Sequence, residues 1–143
     1  MSSPTQRSLV ALRNLGYVAA VVERFIRFSG PHGTRHDLFG LADVEAINAT
    51  ETLYVQCCPA STLAKHCQKH LQEPRLRVLL ACPTRHFEVW SWGKRGARGK
   101  RKLWTLRRHR AEINLFGIVK FFEIMVPSAV KNRGGQAGKG AVD

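Results

Sequence analysis

The amino-acid sequence predicts an α/β fold in which a mixed central β-sheet is flanked by helices. Several short apolar runs are rich in β-branched and aromatic residues and end at glycine, proline or asparagine, as strands do. Two other segments repeat apolar residues at helical spacing, and the second lies between strand-like runs, which indicates a crossover connection. The chain has 143 residues, which is enough for one domain with its own core.

The first predicted element is a helix over residues 7–15, in which leucines recur at every third position before Gly16 stops the helix. Residues 17–28 follow as an apolar run rich in valine, isoleucine and phenylalanine. This composition favours a strand over the rest of an interrupted helix, because such side chains fit a pleated surface. The stretch 29–37 contains two glycines and a proline and is predicted to be a turn region.

The middle of the chain predicts two strands and a helix. Residues 38–47 form the first strand, and residues 51–58 form a second, more apolar one that is closed by Pro59. A short apolar run of this kind is typical of a strand buried near the centre of a sheet. Residues 60–73 predict a helix that begins at a serine or threonine cap and ends before Pro74.

Two more strands are predicted after this helix. Residues 77–83 form a short apolar run, and residues 86–92 alternate large apolar residues with others. We expect these two strands to pair around a turn at residues 83–85.

The domain organisation follows from these elements. We expect one α/β domain over residues 1–113 and an apolar segment over 114–128 that either packs on the domain or forms a dimer interface. The glycine-rich residues 129–143 are predicted to be a disordered tail.

The charge of the chain predicts a polyanionic partner. Twenty-three Lys and Arg against ten Asp and Glu give a formal net charge of +13. A positive field attracts phosphates and gains free energy from counterion release, which favours nucleic acid over an anionic membrane or an acidic protein. The N-terminus has no basic start followed by a long apolar run, so we expect no signal peptide. No segment approaches ~18 uninterrupted apolar residues, so we expect no membrane span and no membrane partner. The expected location is the cytoplasm of a bacterium, an archaeon or a phage-infected host.

None of the four cysteines belongs to a CxxC pair of the kind that binds structural zinc. Free thiols in a reducing compartment are therefore the favoured interpretation. A zinc site built from Cys67 with His66 and His70 remains an alternative.

Four polar residues are candidates for chemistry. Asp43 lies at the start of a predicted strand, and Gln56 lies inside an apolar strand, where its amide needs hydrogen bonds or a wet cleft. Acidic and amide oxygens at one end of neighbouring strands can hold a hard cation such as Mg²⁺. Glu23 lies upstream in an apolar run, and Asp37 is either a turn residue or, with His36, part of the cleft.

The segment RHDLFGLADVEAI, the apolar strand after it and the next helix resemble the core of the PD-(D/E)xK (restriction-endonuclease-like) nucleases. The resemblance is to phage and archaeal Holliday junction resolvase-like members in particular. Their pattern is a helix bearing a Glu, a Gly-x-Pro-Asp strand, a (D/E)xK strand and a second helix. Glu23 matches the early Glu, residues 40–43 match the second step and residues 56–58 match the third. The likeness covers roughly residues 8–93.

The resemblance implies that Glu23, Asp43 and Gln56 hold a Mg²⁺ or Mn²⁺ ion. One departure from the pattern is mild, in that Ala42 replaces the proline. Gln56 replaces the acidic metal ligand, as in some relatives, so the site loses a negative charge and some affinity for a cation. The larger departure is Cys58, which occupies the position of the lysine and carries no positive charge.

In some relatives the lysine comes from the following helix. In this chain Lys65 or Lys69 would replace the motif lysine. Of the two, Lys65 is predicted to be the catalytic residue.

The most basic segment, residues 93–110, is expected to bind DNA phosphates through a loop that its glycines make flexible. Trp90, Trp92 and Trp104 flank it, and each either stacks on unpaired bases or packs in the core, with at least one expected in the core. The predicted DNA-binding residues are Arg35, Lys94, Arg95, Arg98, Lys100, Arg101, Lys102 and Trp92. Since no base-reading motif is present, we expect recognition of backbone shape.

These observations predict a metal-dependent, structure-selective DNA endonuclease that acts on branched or duplex DNA. A non-catalytic DNA-binding protein on the same fold is the alternative, and an RNA- or ribosome-binding protein is a third. If the segment around Ile118–Val126 buries itself against a second copy, a two-fold dimer would place two sites on a symmetric junction.

Overall fold

The computed structural model of the protein describes residues 2–28 and 30–126. The helices are α1 (Pro4–Asn14), α2 (Leu63–Leu71), which follows a 3-10 turn at Ala60–Thr62, and α3 (Pro74–Leu80). The strands are β1 (Val18–Val21), β2 (Arg24–Ile26), β3 (Thr34–His36), β4 (Val44–Ile47), β5 (Thr52–Pro59), β6 (Arg85–Arg95), β7 (Leu103–Ile113) and β8 (Val119–Ile124). The tail predicted for residues 129–143 lies outside the described residues.

Six of these strands form one mixed sheet in the order β1-β4-β5-β6-β7-β8. β5 and β6 are parallel, and the other neighbouring strands are antiparallel. α2 and α3 form the crossover between the two parallel strands, which cannot be joined by a tight turn. The prediction of an α/β fold with a mixed sheet flanked by helices is confirmed. Among the described residues, no helix combines the length and the apolar character needed to cross a membrane.

Helices cover both faces of the sheet and create two cores. Leu12 of α1 packs in a cluster with Val55 and Trp90 on one face. Leu76 of α3 packs in a cluster with Phe87 on the other face. The central strand β5 is buried over residues 55–58, and its sequence is a nearly continuous apolar run, which is typical of a strand covered on both faces.

The first helix begins earlier than its leucine spacing predicts. The Ser3 hydroxyl accepts a hydrogen bond from the backbone N–H of Gln6, and the Gln6 side chain completes a capping box. Pro4 occupies the first turn, where no backbone N–H is needed. The helix ends before Gly16, whose φ of +95° suits glycine.

The run at 17–28 forms two strands in different sheets. β1 pairs with β4 in the main sheet, whereas β2 pairs with β3 in a separate two-stranded hairpin. β3 lies inside the stretch that was predicted to be turn only. The predicted strand at 38–47 is also shorter, because residues 38–42 form a tight turn with Phe39 and Gly40 at positive φ.

The strand predicted at 77–83 is wrong, and the hairpin with residues 86–92 is wrong with it. Residues 74–80 form α3, in which Pro74 occupies the first turn and Glu73 caps it. Leu76 and Leu79 are buried at helical spacing. A short apolar run fits a strand or a helix equally well by periodicity, and a proline begins a helix as readily as it ends one.

The basic segment is a β-hairpin, with a connecting loop only at residues 96–102. Strand β6 extends to Arg95, and β7 begins at Leu103. The apolar C-terminal segment contributes β8, so it packs in the sheet through Val119, while its turn exposes Leu115 and Phe116. The dimer interface there remains a prediction.

Candidate acidic site and basic hairpin

Asp43 is a buried carboxylate at the start of β4. Its side chain is 5% exposed, and its Oδ2 accepts hydrogen bonds from the backbone N–H of Cys57 at 2.8 Å and from Nε2 of Gln56 at 2.9 Å. Both donors lie on β5, the strand that pairs with β4. The β4–β5 pairing therefore holds the Asp43 carboxylate in place.

The β2–β3 hairpin brings two more carboxylates to Asp43. Arg24 pairs with His36 across the hairpin, so Glu23 and Asp37, just outside this pair, lie opposite each other. One carboxylate oxygen from each of Glu23, Asp37 and Asp43 lies within 4.8 Å of the other two. The sequence predicted Glu23 and Asp43 as metal ligands and left Asp37 either as a turn residue or as part of the cleft. The structure places Asp37 with the other two carboxylates, because β3, which the sequence analysis did not predict, pairs with β2.

The electrostatics of this cluster favour the binding of a cation. Burial, followed by the hydrogen bond with Asp37, raises the pKa of Asp43 to about 8, although the Cys57 N–H opposes the shift. Arg35 lies 3.6 Å from Glu23, and its side chain is mostly exposed. Three carboxylates with one peripheral arginine leave an excess of negative charge. Carboxylate oxygens are the ligands that hard divalent cations prefer, so the cluster has a donor set that could hold one.

Gln56 has a different role in the structure from that of a metal ligand. Its Oε1 lies 3.0 Å from Nε2 of His70, and its Nε2 donates to Asp43. Because an amide oxygen only accepts, the His70 Nε2 must carry the proton. His70 is fully buried, and burial together with Lys69 lowers its pKa to about 4. Gln56 therefore positions Asp43, and its oxygen would reach a cation only if the amide turned over.

Residue 58, where the (D/E)xK pattern has its lysine, is a cysteine whose thiol is buried. Of the two candidate lysines on α2, Lys69 lines the cleft that contains Asp37. This cleft has a volume of about 380 Å³ and is lined by Arg35, His36, Asp37, Phe39, Gly40, Lys69 and Arg75. Lys65 lies one turn earlier on α2, is exposed and does not line this cleft.

The basic hairpin projects from the same end of the sheet as the carboxylates. Asp43 lies level with Gln56, which pairs with Val89 of β6. β6 then continues for five residues to Lys94, which is about 17 Å along the strand. The exposed cations of the hairpin are Lys94, Arg95, Arg98, Lys100, Arg101 and Lys102.

The tryptophans divide differently from the prediction. Trp92 is 7% exposed, and its indole N–H donates to the Ser8 hydroxyl of α1 at 2.9 Å, so the predicted stacking of DNA bases on Trp92 is wrong. Trp90 is fully buried. Trp104 is 40% exposed, and the guanidinium of Arg7 lies 3.7 Å from its ring centroid. The difference in exposure follows from position in the sheet. Trp90 and Trp92 lie on the central strand β6, whereas Trp104 lies near the tip of the hairpin.

The cysteines are free thiols, with Cys57 and Cys58 buried. In residues 2–28 and 30–126, the three carboxylates are the only group of three or more His, Cys, Asp or Glu ligand atoms that converge. Cys67, His66 and His70 therefore do not form a zinc site in the described structure.

Comparison of the chain with protein-family models, curated proteins and solved structures found no match to any of them.

Proposed function

We propose that this protein is a metal-dependent DNA endonuclease that recognises DNA structure. The observation that carries the proposal is that a partly buried three-carboxylate cluster and a cationic hairpin lie at the same end of one sheet. Three converging carboxylates with a single arginine partner suit a divalent cation, and the exposed Lys and Arg side chains suit the phosphates of DNA.

The order of the elements supports the nuclease resemblance. Asp43 begins β4, Gln56 and Cys58 lie on the antiparallel β5, and a helical crossover leads to β6. This is the sequence of strand, strand and helix that the family pattern requires. One departure is that Glu23 lies between β1 and β2, not on a helix.

Glu23, Asp37 and Asp43 would hold Mg²⁺ or Mn²⁺. A divalent cation in such a site activates a water molecule and stabilises charge on the reacting phosphate. The protein contributes orientation: the Cys57 N–H and the Gln56 amide fix Asp43, so that the cluster is formed before DNA binds.

The cleft beside the cluster would receive the phosphate. Lys69 and Arg35 line it next to Asp37 and supply positive charge where the motif lysine is missing. Arg75 lies in the same cleft but is paired with Glu73 at 2.9 Å. We therefore assign the electrostatic role of the motif lysine to Lys69.

The hairpin would bind the DNA backbone on the same side of the molecule. Its cations at residues 94–102 are exposed, and Trp104 offers a partly exposed ring near the tip. Contacts of this kind position DNA without reading its sequence. The predicted ligand is branched or duplex DNA.

Two observations favour the alternative of a DNA-binding protein without cleavage. The lysine position is a buried thiol, and the oxygen of Gln56 faces His70 instead of the carboxylates. In that case the cluster would keep only a structural role.

The two functions separate in a cleavage assay on labelled duplex, flap and four-way junction DNA with Mg²⁺, Mn²⁺ or EDTA. We expect metal-dependent cutting that falls at least about a hundredfold in Asp43→Asn, which keeps the side-chain volume but removes the charge. Glu112→Gln is the matched control, because Glu112 is exposed on β7 at the opposite end of the sheet from the hairpin. Binding without cutting in either metal would leave the alternative.

A further inference from the structure

The β2–β3 hairpin stands apart from the two cores. Its strands form a separate two-stranded sheet, and in the described structure neither core cluster includes a side chain from Arg24–Ile26 or Thr34–His36. A hairpin of this size gains little stability by itself in water. Packing therefore does not explain the composition of this hairpin.

Two phenylalanines on the hairpin face solvent. Phe28 is 91% exposed and Phe25 is 57% exposed. The ring of Phe25 rests on the backbone of Gly33, since a Cβ at Gly33 would lie 2.4 Å from the ring Cζ. One side of this ring is thus supported and the other is open. An exposed aromatic ring that is held in place is a suitable surface for base stacking.

Arginines surround these rings. Arg24, Arg27 and Arg35 are exposed, and Arg35 pairs with Glu23. Neither Arg24 nor Arg27 has an ion-pair partner among the described residues. Aromatic rings that alternate with arginines match an unpaired nucleotide strand, whose bases offer π faces and whose phosphates offer charge. An apolar peptide would leave the arginines unused, and an intact duplex hides the faces of its bases.

The position of the hairpin links this surface to the acidic cluster. Glu23 directly precedes β2, and Asp37 directly follows β3. A nucleotide strand bound along the hairpin would therefore run next to two of the three carboxylates.

We propose that the β2–β3 hairpin binds an unpaired segment of DNA beside the carboxylate cluster. Phe28 and Phe25 stack on bases, and Arg24 and Arg27 contact phosphates. The proposal rests on the proposed function for the choice of DNA as ligand. It narrows that ligand to flaps, forks and junctions that expose single-stranded bases.

The test compares two DNAs by fluorescence anisotropy in EDTA: a fluorescein-labelled duplex that carries a single-stranded flap, and the same duplex fully paired. Using the Asp43→Asn protein in addition prevents cutting. We expect Phe28→Ala to weaken binding of the flap DNA at least about fivefold and binding of the paired duplex less than about twofold. Phe28→Trp should restore flap binding, because it keeps an aromatic face.

Phe116→Ala is the matched control. Phe116 is 86% exposed in the turn between β7 and β8. Its replacement therefore removes about as much exposed aromatic area as Phe28→Ala does, but at a site away from the β2–β3 hairpin. The proposal is overturned if Phe28→Ala leaves flap binding unchanged, weakens both DNAs equally, or matches Phe116→Ala.

The outcomes also separate this proposal from the nuclease function. Loss of flap binding in Phe28→Ala supports the hairpin proposal even if the unsubstituted protein cuts no DNA. Cutting by the unsubstituted protein without a selective effect of Phe28→Ala overturns the hairpin proposal alone. Failure to bind either DNA overturns both.

Discussion

Glu88 and Asp43 are both buried acids of the same sheet, but their surroundings are opposite. Glu88 accepts hydrogen bonds from Arg108 at 2.8 and 3.0 Å, from Arg110 at 2.8 Å and from the Trp90 indole at 2.7 Å. Burial opposes its ionisation, but the arginines leave its pKa below the ordinary value. Asp43 has amide donors and two neighbouring carboxylates, and its pKa is raised.

The difference indicates which acid completes the fold and which is available for a ligand. The charge of Glu88 is neutralised within the protein, so this residue is explained by stability. No basic side chain contacts Asp43 among the described residues, so its carboxyl group holds a proton near neutral pH unless a cation takes the place of that proton. A buried acid without a cation is a candidate for function, whereas one bound by two arginines is not.

The largest expected effect is on stability, from removing the charge of Glu88. Glu88→Gln would leave Arg108 and Arg110 partly buried without a counter-charge, and we expect the free energy of unfolding to fall by about 3 kcal/mol. Urea denaturation at constant pH measures this change. Glu112→Gln, an exposed substitution on β7, should change stability by less than about 0.5 kcal/mol. A loss for Glu88→Gln of less than about 1 kcal/mol would contradict the structural assignment of Glu88.

The next effect is the pH dependence of stability in EDTA. Asp43 has a folded pKa of about 8 against an ordinary 3.8, so its stabilising effect is complete below pH 3.8 and is lost as pH rises to 8. His70 has a folded pKa of about 4 against 6.5, so its contribution is present above pH 6.5 and is lost as pH falls to 4. The two offset each other between about pH 4 and 6.5.

Between pH 6.5 and 8, Asp43 binds a proton in the folded state and not in the unfolded state. His66, His70 and His109 oppose this effect weakly, because their pKa values are lowered in the fold and the unfolded histidines still bind some protons near pH 6.5. The free energy of unfolding should therefore fall by about 1 kcal/mol across this window. Asp43→Asn should remove this slope, because asparagine does not ionise. A free energy that stays constant from pH 6.5 to 8 in the unsubstituted protein would show that the carboxylates do not crowd one another.

A smaller effect is expected from His70, which acts on Asp43 through Gln56. His70→Ala removes the donor to the Gln56 oxygen and frees the amide to turn, so we expect Mn²⁺ affinity to fall about tenfold by calorimetry. His70→Gln can donate to the same oxygen and should recover part of the affinity. If both variants bind Mn²⁺ like the unsubstituted protein, the hydrogen-bond chain does not orient the cluster.

The smallest expected effect is on the salt dependence of DNA binding. In the basic hairpin, an exposed arginine should contribute more to it than an arginine that is paired with an acid. Arg101 is exposed at the tip, so Arg101→Ala should lower the slope of log affinity for DNA against log salt by about 0.9. Arg107 is bound to Glu123 at 2.7 and 2.9 Å, and Arg107→Ala should change the slope much less. Equal changes would mean that DNA binding follows net charge and not the position of each cation.

Much of the fold was predictable where local pattern and tertiary environment agree. The leucines of α1 recur at helical spacing, and the apolar run of β5 fits a buried strand. Each pattern is compatible with one place in the fold, so the sequence predicted both elements. α3 was not, because its apolar run is short and the choice between strand and helix depended on what lies beside it. In the site, Asp43 was found from its place before a strand, whereas Asp37 required the pairing of β2 with β3.

The sequence by itself determined the α/β class, the cationic character of residues 93–110 and the choice of Glu23 and Asp43 as candidate ligands, because these depend on residue type and local spacing. Only the tertiary structure decided that Trp92 is buried, that Arg108 neutralises Glu88 and that Gln56 faces His70. Each of these depends on a partner at least 14 residues away, or on a strand being central in the sheet. Local pattern carries no information about such partners, since hydrogen bonds and ion pairs form between whichever groups the folded chain brings together.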